Sequence, residues 1–125
     1  MRTQDPNQLC TDPSTAPLSG LEKHHKALRK WLNYPDGNTE YGATLYTTIA
    51  ACYETQGNLA QAENFLIEGY KLCRNDNLTD KAADIAERLH LLLWSQIKTC
   101  PDNEFKAMAW RKLCDQLRRE NYRKY

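Results

Sequence analysis

The chain has 125 residues, of which 41% are hydrophobic and 26% charged, a composition that suits one compact domain and excludes both wholesale disorder and a two-lobed enzyme with separate cofactor and substrate domains. Seventeen Lys and Arg against sixteen Asp and Glu leave a net charge of +1, so the chain as a whole has no electrostatic pull toward nucleic acid or anionic lipid. No run approaches the roughly 18 apolar residues of a membrane span, and Asp5, Pro6, Asp12, Pro13 and Pro17 occupy the place where a signal peptide needs an apolar stretch.

Three of the five prolines lie in residues 1–17, which lack any apolar period and read as a disordered or extended arm. Residues 18–125 read as a single helical domain. Order is expected from Ser19, because Ser19 and Glu22 have the spacing of a capping box, and Leu21, His25, Leu28 and Leu32 then form the stripe of a first helix ending near Asn33. Tyr34-Pro35-Asp36-Gly37-Asn38 is turn chemistry. A second helix is predicted from Thr39 to Gln56, with Leu45, Ile49, Cys52 and Tyr53 on one face.

Gly57-Asn58 ends that helix and caps a third, whose stripe is Leu59, Ala62, Phe65, Leu66, Gly69, Tyr70 and Cys73. The two-residue connection forces an antiparallel hairpin. After Asn75-Asp76-Asn77, Thr79 is expected to cap a fourth helix bearing Ala82, Ile85, Ala86, Leu89, Leu92, Leu93 and Ile97. Thr99-Cys100-Pro101-Asp102 breaks it, and a fifth helix should run from Asn103 to the end with Phe105, Ala109, Leu113 and Leu117 inward. No segment alternates with a period of two for long enough to argue a strand. The predicted class is all-α, with about five antiparallel helices and the last one capping the stack.

The central hairpin carries a more specific pattern. Tyr46-x-x-Ile49-Ala50-x-x-Tyr53, then Gly57, then Ala62-x-x-x-Leu66, resembles the tetratricopeptide motif W-x-x-L-G-x-x-Y followed by A-x-x-x-F. The wording from Ala43-Thr44-Leu45 through Ala51-Cys52-Tyr53 to Gln56-Gly57 and Ala62-Glu63 looks especially like repeats of the kinesin light chain type. The match covers residues 43–74. It departs from the pattern at Arg74, where the closing Pro would stand, and at Gly69, where Ala is usual. The flanking helices diverge and read as caps for one good repeat.

What the resemblance implies is a groove for a peptide or partner helix, lined by the first helix of the pair. The groove residues would be Thr44, Thr47, Thr48, Ala51, Glu54 and Thr55, polar and almost uncharged. They lack the Lys and Arg clamp by which some members of the family hold a C-terminal carboxylate, so a polar neutral or basic segment is the expected ligand. The reading is a non-enzymatic adaptor, scaffold or regulatory subunit in the cytoplasm, and a chain opening on Met1 and closing on Tyr125 suits a complete small protein.

Charge is unevenly placed. Residues 31–70 contain no Lys or Arg, whereas residues 106–125 hold Lys106, Arg111, Lys112, Arg118, Arg119, Arg123 and Lys124 against Asp115 and Glu120. The alternative function is therefore a nucleic-acid-associated regulator using Arg111, Lys112, Arg118, Arg119, Arg123 and Lys124 as a basic helix face. The run Leu91-Leu92-Leu93-Trp94, together with Trp110 outside the last stripe, suggests surplus apolar surface buried in a homodimer or under a partner.

No catalytic constellation, phosphate loop or cofactor motif is found. Cys10, Cys52, Cys73, Cys100 and Cys114 include no C-x-x-C pair, and adjacent His24 and His25 diverge by about 100° on a helix. Neither a metal site nor a cofactor is expected, and the thiols read as reduced. Asp84 and Glu87, three apart, read as solvating charges offset by Lys81 and Arg88.

Overall fold

In the computed structural model, residues 16–33 and 38–123 are described, and they contain helices and turns with no strand. The elements are α1 (Ala16–Asn33), α2 (Thr39–Thr55), α3 (Leu59–Asn75), α4 (Thr79–Trp94) and α5 (Asn103–Arg123). Each helix packs chiefly on the next in sequence, as the all-α prediction requires. Residues 1–15 of the predicted arm lie outside the described residues, and Ala16 and Pro17 belong to α1. Ser19 is therefore inside the helix and is not its cap. Proline is tolerated in a first helical turn, where its missing N–H has no intrahelical partner to lose.

The connections obey one rule. The N-caps of α2, α3 and α4 are Asn38, Asn58 and Leu78, all close to φ −90° and ψ 75°, one every 20 residues. Asn38 and Asn58 accept from the backbone N–H three residues on, at Tyr41 and Gln61. Leu78 has no side-chain cap bond. Thr79, the predicted cap, is instead the first residue of α4 and is buried, because the α3–α4 reversal copies the α2–α3 one and puts the cap at 78.

In both reversals the residue before the cap is left-handed, Gly57 at φ 81° and Asn77 at φ 59°. The cap amides of Asn58 and Leu78 then reach back to the carbonyls of Tyr53 and Cys73 at 2.9 and 2.8 Å. That is a Schellman closure, which satisfies carbonyls a helix end would otherwise expose.

Because the caps step evenly, α2 and α4 are related by a shift of 40 positions. Gly42, Ala43, Leu45 and Ile49 correspond to Ala82, Ala83, Ile85 and Leu89, and all eight are buried. Around Ala50 and Ala62, both fully buried, the main core gathers Leu66, Cys73, Ala86 and Leu92 with Cys114 and Leu117 of α5. A second core forms where α1 meets α2, from Leu21, Leu28, Trp31, Leu45 and Ile49.

Two predicted stripes are corrected. On α1, Leu32 is exposed and Trp31 is buried. The Trp31 indole lies over Gly42, so close that a Cβ there would stand 2.6 Å from the ring, and its Nε1 donates to the Asn38 carbonyl at 3.1 Å. On α5, Phe105 and Ala109 point outward. The inner side is Ala107, Trp110, Cys114 and Leu117, with Leu113 at its margin. Steps of four drift by about 40° each on a helix, so a 105/109/113/117 line winds off the buried face, whereas steps of three, four and three stay on it. Trp110, expected outside, packs edge-on against Tyr70 of α3 at 5.1 Å between centroids.

His25 joins three helices. Its Nε2 is 3.1 Å from the Tyr53 hydroxyl of α2, and its ring meets Phe65 of α3 edge-on at 5.3 Å. Burial, then the nearby charges of Arg29 and His24, lower its pKa below 6.5. The unfolded chain consequently takes up this proton more readily than the fold does. The contribution of neutral His25 is present above pH 6.5 and is lost as pH falls through that value toward the lower folded pKa.

Melting temperatures between pH 7.5 and 5.5 should thus fall in the native protein and fall less in His25→Gln, and equal slopes would refute this. Gly42→Ala should cost about 1–3 kcal/mol in urea unfolding through overpacking against Trp31. In a Trp31→Leu background the same change should cost much less, because the ring it collides with is gone.

Candidate functional site

The exposed side of α2 is a threonine ridge. Thr44 donates its hydroxyl to the Glu40 carbonyl at 2.9 Å, Thr47 to Thr44 at 3.0 Å and Thr55 to Ala51 at 3.0 Å. Their hydroxyl hydrogens are committed to their own helix, so the ridge offers methyl groups and acceptor lone pairs to a ligand, and few donors.

Facing this ridge is α4. Ala43, Thr44 and Thr47 of α2 and Lys81, Asp84, Ile85 and Arg88 of α4 line an open cleft of about 190 Å3. At its end, Arg88 Nη2 reaches Glu54 Oε2 at 3.1 Å, tying α2 to α4. Beyond the pair lies a recess of about 310 Å3 lined by Glu54, Leu59, Arg88, Leu91, Leu92 and Ser95. Arg88 thus lines both hollows, and both are of mixed polar and apolar lining.

Of the six predicted groove residues, Thr44 and Thr47 line the cleft and Glu54 lines the recess. Ala51 and Thr55 are exposed on α2, and Thr48, half-buried, lines neither hollow. The wall supplied by α4 is absent from the sequence reading. Its signal was available, since Lys81, Asp84, Arg88 and Leu91 fall at steps of three, four and three, the solvent-facing line of that helix. These residues change the expected chemistry, because the cleft has a cationic side. Lys81 makes no ion pair among the described residues.

The acidic pair on α4 is also partnered differently. Asp84 and Glu87 both hold Arg118 of α5, at 3.2 and 2.7 Å, and Arg88 serves Glu54. The hydrogen bond that Arg118 donates to the Glu87 carboxylate leads the effects that raise the Arg118 pKa. The predicted basic surface is accordingly thinned. Arg118 is tied to α4, and Arg111 is paired with Asp115 at 3.4 Å. Lys112 and Arg119 stay exposed without an ion pair among the described residues. Arg123 closes α5, and Lys124 lies outside the described residues.

No group of three or more His, Cys, Asp and Glu side chains placed to hold a metal occurs among the described residues. His90 bonds through Nδ1 to the Ala107 carbonyl at 2.9 Å, so, like His25, it serves helix packing. Cys73 and Cys114 are buried and Cys100 is exposed. Burial is the leading cause that raises the Cys73 and Cys114 thiol pKa, which suppresses the reactive thiolate. No described helix is long and apolar enough to cross a membrane.

No protein-family model matches the chain, and no curated protein or solved structure matches it. The site therefore has to be read from its own residues.

In pulsed alkylation at neutral pH with mass mapping, Cys100 should be modified in the native state, and Cys73 and Cys114 only at the rate of unfolding. Rapid native-state labelling of Cys73 would contradict its burial between α3 and the rest of the core.

Proposed function

We propose that this chain is a non-enzymatic protein-interaction module of tetratricopeptide-like construction, an adaptor, scaffold or regulatory subunit, which receives an extended peptide or a partner helix between α2 and α4. One observation carries the reading. Two helices in the same register, 40 residues apart, present facing walls of one open cleft, whose lining joins the exposed Thr44 and Asp84 to the buried Ala43 and Ile85. Stacked helical hairpins offer such a surface, and their ligands are peptides or helices that lie along it.

The motif at residues 43–74 supports a relation to tetratricopeptide repeats, although the step of 40 residues is longer than the 34 of the usual repeat. The longer step comes from helices of 17, 17 and 16 residues. The cleft would favour a segment that donates hydrogen bonds to the threonine ridge and places a carboxylate near Lys81. Glu54 and Arg88 would each accept an opposite charge if the ligand opened their exchange, which at a half-exposed surface is worth only about 0–1 kcal/mol.

The test is affinity capture from the native source with the wild-type chain and two variants. Thr44→Trp fills the cleft from an exposed position, and Lys71→Ala changes the exposed side of α3. Partners that use the groove should fall at least about tenfold in recovery with Thr44→Trp, equivalent to roughly 1.4 kcal/mol, and be unchanged with Lys71→Ala, both variants keeping the native melting temperature. Equal recovery with Thr44→Trp would refute the groove.

A further inference from the structure

The first helix has one apolar side and one charged side. Leu21, Leu28 and Trp31 are buried with Leu45 and Ile49 of α2. From Glu22 to Lys30 the exposed residues are Glu22, Lys23, Lys26, Arg29 and Lys30, every one of them charged and four of the five cationic. At about 100° per residue these five fall within an arc of about 120°, and Lys23 to Lys30 spans about 10 Å of helix. Leu32, exposed one turn past Arg29, stands about 60° beyond the edge of that arc.

The four cations are unpaired. None of them forms an ion pair among the described residues, not even with Glu22 on the same arc. The carboxylates of α2 and α3 leave them free as well. Glu54 is held by Arg88 and Glu68 by Lys71, and neither Glu40 nor Glu63 forms an ion pair with α1. Electrostatic reach in physiological salt is about 8 Å, so the nearly neutral total charge of the chain does not cancel a cluster this tight.

We propose that the outer face of α1 binds the phosphate backbone of duplex DNA. The character of the face selects this occupant. A protein partner needs an apolar or aromatic centre to its interface, where Lys is depleted, and the arc has none. A bilayer takes up the apolar side of an amphipathic helix, and that side of α1 is committed to α2. Single strands are held by aromatic platforms, which are also absent from the arc. A duplex carries one charge per about 1.7 Å of its axis, and phosphate contacts alone sustain binding through the release of counterions. Its major groove, about 12 Å wide, admits an α-helix. Seated there, Lys23 and Arg29 at the two margins of the arc reach toward opposite strands. No Asn, Gln, Ser or Thr lies among the five exposed residues to read base edges, so the contacts are to phosphate and the binding is indifferent to sequence. This face is separate from the α2–α4 cleft. It also differs from the basic surface of α5, where Arg111 and Arg118 are held in ion pairs.

The test is fluorescence anisotropy with the full chain and a short end-labelled DNA duplex of mixed sequence, beside its single strand. The duplex should bind with a micromolar Kd at about 50 mM salt and lose about a hundredfold by about 200 mM, following the slope of about −3.6 that four phosphate contacts give. The single strand should bind more weakly, and a duplex of scrambled sequence equally. Lys26→Gln should reduce the slope by about 0.9. Lys23→Gln, Lys26→Gln, Arg29→Gln and Lys30→Gln together should abolish binding and keep the melting temperature, since all four side chains are exposed and Gln suits a helix about as well as Lys. Lys112→Gln with Arg119→Gln should leave binding unchanged, as should Thr44→Trp in the cleft. Absence of duplex binding, binding that survives the fourfold variant, or binding lost with the α5 pair instead would overturn the proposal. So would a preference for the single strand, for polyglutamate or for phosphatidylserine vesicles at equal salt, each of which identifies a different occupant.

Discussion

Three residues separate the end of α2 from the start of α3, and three again separate α3 from α4. A helix that ends in a left-handed residue and is followed at once by a cap can only run back beside its predecessor. Gly57 adopts that conformation without cost, and Asn77 is among the few other residues that tolerate it. Helices forced so close need small side chains at the contact. Ala50, Ala62, Ala82, Ala83 and Ala86 supply them, and at Gly69 an added Cβ would already stand 3.1 Å from the Tyr46 Cβ. The alternation of small contact residues with flanking Leu, Ile and Tyr thus follows from the length of the turns.

The cleft is a consequence of the same geometry. When α2 runs one way and α3 returns, α4 runs again in the direction of α2 and on the same side of α3. The two are held apart by the helix they both pack against, so a channel is left between their outer edges. The Glu54–Arg88 pair spans it, but both side chains are more than a third exposed, and such pairs contribute little to stability. The channel is kept open by the packing of α3, and the ion pair sets the charge at its midpoint.

What the sequence disclosed, and what it hid, has a physical pattern. The hairpin of α2 and α3 was legible because turn, cap and stripe agree at every residue from Thr39 to Cys73. The first helix was misread at its start because Pro17 looks like a breaker and Ser19 like a cap, while a proline in the first turn is compatible with a helix. Trp31 and Leu32 are both apolar neighbours, and only the missing side chain of Gly42, a residue from another helix, decides that the indole goes inward. On α5, inner and outer faces both carry apolar residues, so periodicity alone admits two stripes, and the structure selects the one that packs along α4 and meets Tyr70. The groove was half legible for a simpler reason: its second wall belongs to α4, and a one-helix motif says nothing of the neighbour across the channel.

The departure of α5 from the even step is informative in itself. After α4 the 20-residue interval is broken by the turns from Ser95 to Asp102, fastened by Gln96, whose side chain donates to the Leu92 carbonyl and accepts from Asn103. Asn103 is buried there and receives a weak bond from the Cys100 thiol. This longer connection lets α5 lie along α4, with Trp110 reaching Tyr70 of α3. A helix that only closes a stack needs a polar outer face. α5 instead sets Phe105 and Met108 outward at helical spacing, with Glu104, Lys106 and Lys112 exposed beside them.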